Sequence, residues 1–147
     1  MSATADHAEE RTNPASRLGF EPGQVVQELG YDEDCDQELR EGIEELTGEE
    51  LVDEDYDDVP DAVLLWFRDE EDGDLTDALV DATSTVDPGA PIWLMTPKTG
   101  RDGHVEPSEI GEAAQTAGLA QTSSVNAAKD WTGSRLVTPK AVRAGKR

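Results

Sequence analysis

Asp87-Pro-Gly-Ala-Pro-Ile-Trp-Leu-Met-Thr-Pro-Lys98 reads as a turn, a short apolar strand and an abrupt polar stop. A glycine-rich loop follows, Thr99-Gly-Arg-Asp-Gly-His104, with Lys98 at its entrance and Arg101 within it. Pro107-Ser-Glu109 then opens a helix. Strand, polar loop, helix is the order by which open α/β sheets place their functional edge outside the carboxyl ends of the strands. The stretch therefore predicts both the fold class and the place where a site would lie, without specifying its chemistry.

Working outward, Pro60-Asp-Ala-Val-Leu-Leu-Trp-Phe67 is a continuous apolar run of strand length, the pattern of a central strand covered on both faces. Before it, Gln24–Leu29 reads as a first strand, closed by Gly30-Tyr31. Leu39, Ile43 and Leu46 at i, i+4 and i+7 predict a helix over about residues 35–46, opened by Asp32, Asp34 and Asp36 and stopped by Thr47-Gly48. Glu50-Leu-Val-Asp53 reads as a short second strand, and Asp69–Asp74 as an acidic loop. Leu75, Leu79, Ala82 and Val86 mark a further helix. Ser108 is placed to cap a helix carrying Ile110, Ala113, Ala114 and Ala117, ended by Gly118. Gln121–Ala127 and Ser134–Val137 read as a closing antiparallel pair. Alternating strands and helices predict a small Rossmann-like, three-layer α/β domain with a mostly parallel sheet and antiparallel strands near the C-terminus. Its expected limits are residues 18–138, between a disordered leader over 1–17 and a basic flexible tail over 139–147.

The chain has 147 residues and a formal charge of −22. Residues 1–97 hold 29 acids against four bases, whereas residues 98–147 hold five acids against eight bases. Such a polyanion disfavours nucleic acid and anionic membranes and favours a protein partner with a basic surface. The plain alternative is a solvated acidic surface with no dedicated partner; a high-salt composition or nucleic-acid mimicry would also produce it. No apolar run approaches the roughly 20 residues a membrane span needs. The N-terminus lacks a signal-peptide pattern. With a single cysteine, Cys35, between Asp34 and Asp36, the chain reads as cytoplasmic, with an unreactive thiol.

Several chemistries fail on spacing. An EF-hand loop begun at Asp32 would put Gln37 where Gly is needed and Ile43 where Glu is needed; one begun at Asp53 puts Asp58 and Leu64 there. His7 and His104 stand apart from each other and from the cysteine, so no metal site is expected. A nucleophile elbow and a Walker loop are both lacking. The turn after the first strand holds one glycine, Gly30, followed by Asp32, Glu33 and Asp34, which would repel a pyrophosphate, so no cofactor is expected.

The positive feature is a basic set late in the chain. Lys98, Arg101, Lys129 and Arg135 surround Trp131. If the strands bring Lys98 and Arg135 together, then Thr96, Thr99 and Ser108 add donors around one shallow site for a small anionic ligand, nucleotide-like or phosphorylated. The competing reading pairs these bases with the chain's own acids and makes Trp131 a core aromatic.

Leu18-Gly-Phe-Glu-Pro-Gly23, Trp93-Leu-Met-Thr-Pro-Lys98, Gly118-Leu119 and Trp131-Thr-Gly-Ser-Arg-Leu136 occur in the order seen in a family of small bacterial proteins of unknown function, which this chain resembles in its actinobacterial form over about residues 18–140. The stretch from Asp87 to Leu94 is also similar to the late strands of class I methyltransferases, though the methyl-donor loop is missing. These resemblances imply a reduced Rossmann-like domain and transfer no activity. The expectation is a non-enzymatic acidic binding or regulatory module that engages a protein partner. The alternatives are a binder or enzyme for an anionic ligand at the loop after Lys98, and a degenerate methyltransferase-like domain.

Overall fold

The computed structural model describes residues 13–139. Five strands and three helices alternate: β1 (Val26–Leu29), α1 (Gln37–Thr47), β2 (Ala62–Trp66), α2 (Leu75–Thr83), β3 (Ile92–Pro97), α3 (Pro107–Thr116), β4 (Ala120–Asn126) and β5 (Trp131–Val137). They form one sheet in the order β1-β2-β3-β5-β4. β1, β2 and β3 are parallel, while β5 runs antiparallel to both β3 and β4.

The apolar run of β2 explains the layering. Ala62, Leu64 and Trp66 point into a core shared with Leu39 and Ile43 of α1. Val63, Leu65 and Phe67 point into a second core with Leu79 of α2 and Ile110 of α3. All five residues of β2 are buried, so alternation sends apolar groups to both faces and none to solvent. The result is the expected three-layer sandwich, with α1 on one face and α2 and α3 on the other. Helix α1 starts where Asp36 accepts the Leu39 N–H at 2.8 Å. It ends at Gly48, whose φ of +76° lets its N–H return to the Glu44 carbonyl.

Three expectations are corrected. The chain enters the fold before Leu18: Pro14–Leu18 is a 3-10 helix, capped by Asn13, and Ala15 and Leu18 belong to the core. This segment packs close to α1 because Gly42 has no side chain: a Cβ there would run into the Asn13 side chain and crowd the Ala15 methyl. Only residues 1–12 of the expected leader and 140–147 of the expected tail lie outside the described residues. Glu50–Asp53 is not a strand. Val52 alone bridges to Gln27 on the outer edge of β1, because Leu51 and Val52 are the only apolar residues between two pairs of acids. Ser108 does not cap α3. Pro107 occupies the first helical position, which its fixed φ favours, and the cap falls on Glu106, which makes no side-chain capping bond. No helix among the described residues is long and apolar enough to cross a membrane.

Candidate functional site

The chain leaves β1 towards α1 on one face and leaves β2 towards α2 on the other. The gap between the carboxyl ends of β1 and β2 is therefore the topological switch point, the crevice where open α/β sheets take their ligands. Here the chain's own side chains fill it.

Arg68, the second residue after β2, is 3 % exposed. Its guanidinium reaches both carboxylate oxygens of Asp34, at 2.6 Å from Nη2 and 2.9 Å from Nε. It also donates to Asp72 at 3.0 Å and to the Gly30 carbonyl at 3.2 Å. Its flat face lies 5.3 Å from the ring centre of Trp131, a cation–π distance. Trp131 donates its indole N–H to the Asp34 carbonyl at 3.3 Å and stands edge-on against Trp66 at 4.8 Å. Trp66 in turn donates to Glu28 at 2.8 Å. Glu28 is 7 % exposed and takes a two-pronged pair from Arg40, which stacks on Tyr31. Two ion pairs, each with one buried and one partly exposed member, are thus joined through two indoles across the ends of β1, β2 and β5.

The electrostatics follow from these contacts. The Arg68 hydrogen bonds hold the Asp34 carboxyl below its ordinary value, against a smaller opposing effect of burial. Arg68 and Arg40 are both held more firmly protonated, chiefly by the hydrogen bonds they donate to Asp34 and Glu28 respectively. Burial pushes the Cys35 thiol up to about 11. The neighbouring Asp34 adds to this only slightly, so desolvation dominates over the charge effect expected from sequence.

The basic set read from the sequence divides. Trp131 joins the crevice cluster as a core aromatic. Thr96 is buried within β3, and Ser108 is exposed on α3. Arg101 pairs with Asp130 at 3.4 Å, as the competing reading supposed for these bases. Lys98 and Thr99 share a shallow hollow with Ser124, Val125, Asn126 and Thr132. Arg135 is not part of it. The antiparallel register sets Arg135 opposite Trp93 and Trp131 opposite Pro97, so Arg135 lies four residues further along β5, about 13 Å away. It bonds Thr122 instead, at 3.0 Å. Lys129 is exposed.

Sequence reasoning missed Arg68, Asp34, Glu28 and Arg40. A signal was present: Arg68 is the only base between Arg40 and Lys98, and it follows directly on the fully apolar strand. Among the described residues no group of three or more His, Cys, Asp or Glu side chains is placed to hold a metal ion.

Comparison with known proteins bears on this arrangement. Residues 15–140 match the model of a family described as "Protein of unknown function (DUF3052)". The chain belongs to this family. Uncharacterised proteins of Mycobacterium tuberculosis and Mycobacterium bovis are 56 % identical to it over 143 residues, covering 97 % of this chain and 87 % of theirs. Among solved structures, a SAM-dependent methyltransferase from Aquifex aeolicus matches with a TM-score of 0.54 at 17 % identity, over 86 % of this chain and 90 % of that one. Magnesium protoporphyrin IX methyltransferase from Synechocystis, solved with bound SAM, matches with a TM-score of 0.53 at 12 % identity, over 91 % and 79 %. These likenesses are of fold. This chain thus has a methyltransferase-like Rossmann sheet.

Those two solved structures are described as SAM-dependent and SAM-bound; in this chain the switch point is crossed by the Arg68–Asp34 pair. Gly30 is left-handed, at φ +78°, and a Cβ there would run into the Trp66 carbonyl oxygen. Its missing side chain serves packing between β1 and β2, and on its other side Gly30 borders a hollow at the β1 edge. The loop beyond it is tied down over Arg68 by Asp34. That hollow, about 390 Å³, is lined by Glu28, Gly30, Tyr31, Arg40, Asp53 and Glu54, and the Glu28 carboxylate is already taken by Arg40 and Trp66.

Proposed function

We propose that this DUF3052 protein is a non-enzymatic binding module, acting in the cytoplasm, that engages a partner protein through an acidic face. The observation that carries this reading is the filled crevice: where the fold takes a cofactor, the chain has set Arg68, Asp34 and Trp131 against one another. The outward side of α1 supports the second half of the reading. Glu38, Glu41 and Glu45 are exposed on one helical face, continued by Glu49 and Glu50. Like charges spaced three or four apart on a helix cost a few tenths of a kcal/mol each. A surface that only solubilises the protein can spread its charge and avoid that cost.

The test joins capture of partners from native cytoplasm to calorimetry on any partner captured. The wild type is compared with the neutralised Glu38→Gln/Glu41→Gln/Glu45→Gln variant. The reading expects a partner with a basic surface, whose affinity falls at least about tenfold in the variant, equivalent to about 1.4 kcal/mol. An affinity unmoved by the substitutions would remove the acidic face from the proposal. Transfer of a labelled methyl group by the purified protein would overturn the non-enzymatic half.

A further inference from the structure

We infer that the hollow beside Lys98 is a binding site for a phosphate monoester, independent of the acidic face. The hollow has a volume of about 510 Å³ and lies where β3 ends, β5 begins and β4 ends. That volume is within the range of small-molecule sites. Its lining is Lys98, Thr99, Ser124, Val125, Asn126 and Thr132: one ammonium, three hydroxyls, one amide and no carboxylate. Two other hollows on this surface contrast with it. The groove between α2 and α3 is lined by Asp69, Asp74, Glu109 and Glu112, and the β1-edge hollow by Glu28, Asp53 and Glu54.

Among the described residues Lys98, like Arg17, Lys129 and Arg135, takes part in none of the ion pairs, and of these four only Lys98 lines the hollow. An acid is close by: the Lys98 backbone N–H donates to the Asp130 carbonyl at 3.0 Å. The Asp130 carboxylate, however, is taken by Arg101 at 3.4 Å. Arg101 therefore acts as a positioning residue, drawing the local acid away and leaving the ammonium to the hollow. Arg17 adds positive charge at the rim, where its guanidinium donates to the Asn126 carbonyl at 2.9 Å. Lys98 is partly buried and lines the hollow together with three hydroxyls and an amide, a set that suits a phosphate dianion: the ammonium supplies a point charge and the hydroxyls complete the oxygen contacts. The same lining lacks the acceptor carboxylates that a cationic ligand would need.

The probe is inorganic phosphate, titrated into ¹⁵N-labelled full-length protein at constant ionic strength and followed by amide shifts. Saturable shifts are expected at Thr99, Ser124, Asn126 and Thr132. Lys98→Gln should weaken binding at least about tenfold, while Lys129→Gln, with the same change in net charge, should weaken it less than about twofold. Arg101→Gln should fall between them, because it frees Asp130 to take Lys98. The unchanged spectrum of the remaining core reports that each variant is folded. Absence of saturable shifts, or equal losses in the Lys98 and Lys129 variants, would overturn the site. Shifts that follow protein concentration and not phosphate would mean that the acidic face of a second copy fills the hollow, and would overturn it too.

Discussion

Arg68→Ala probes the crevice cluster directly. The Arg68 side chain is 4 % exposed, but its partners Asp34 and Asp72 are 55 % and 34 % exposed. Removing the cation therefore leaves carboxylates that water reaches at once, and the loss stays below the ~3–5 kcal/mol that can follow when a fully buried charge is stranded. Each of the two screened pairs is worth about 0.5–1 kcal/mol. The bond to the Gly30 carbonyl contributes about 1–1.5 kcal/mol and the contact with the Trp131 face about 0.5–1 kcal/mol. The expected destabilisation is about 3 kcal/mol, and Asp34→Asn, which keeps Asp72 and the stacking, should cost about 1 kcal/mol. Urea unfolding at neutral pH, followed by tryptophan emission, measures both, since Trp66 and Trp131 sit in the cluster. A loss below about 1 kcal/mol for Arg68→Ala would refute the view that these contacts hold the crevice shut. So would equal losses for the two variants.

Three further outcomes follow from the same geometry. Because Arg68 holds the Asp34 carboxyl below its ordinary 3.8, the pair's contribution is complete above that value and is lost as pH falls through the lower folded one. The stability difference between wild type and Asp34→Asn should be flat from about pH 7 to 5 and shrink below about pH 4; a difference unchanged at about pH 2 would contradict this. Gly30→Ala and Gly48→Ala share a left-handed backbone, but only the first meets an obstacle, the Trp66 carbonyl. Thermal melts should show a loss of about 1 kcal/mol at Gly48 and at least about twice that at Gly30, and equal losses would show that β1 and β2 do not approach as described. Cys35, buried and raised to about 11, should resist alkylation near neutral pH in the folded protein and react at once in urea. Rapid labelling without denaturant would mean that the loop over Arg68 opens freely.

Much of the fold was legible because its signals are local. The apolar run at Ala62–Trp66, the i, i+4 spacing of Leu39 and Ile43, and the left-handed glycine at Gly48 each act within a few residues. The misreadings arose where a local signal competed with a neighbour or with a distant contact. Ser108 looked like a cap until Pro107 took the first helical position. Leu51-Val52 looked like a strand, but a strand without enough apolar residues to bury pairs once and stops. Ala15 looked like leader because its partner Gly42 lies in another element.

The site was the least legible part. Lys98 and Thr99 follow the end of β3, a position that can be read from the sequence because a strand and the loop after it are contiguous. Their joining with Ser124, Asn126 and Thr132 depends on the antiparallel return of β4 and β5, which also carried Arg135 away from them.

Composition and hydrophobic period alone determined that this chain forms a layered α/β domain with an acidic first part and a basic end. Burial of apolar residues requires those layers whatever the details of pairing. Tertiary structure decided what the sheet's functional edge holds. Charges 34 residues apart meet at Arg68 and Asp34, and an indole 97 residues from Asp34 closes over them. A Coulomb or hydrogen-bond partner is chosen by distance in space, which strand order and register set, and no spacing along the chain reports it.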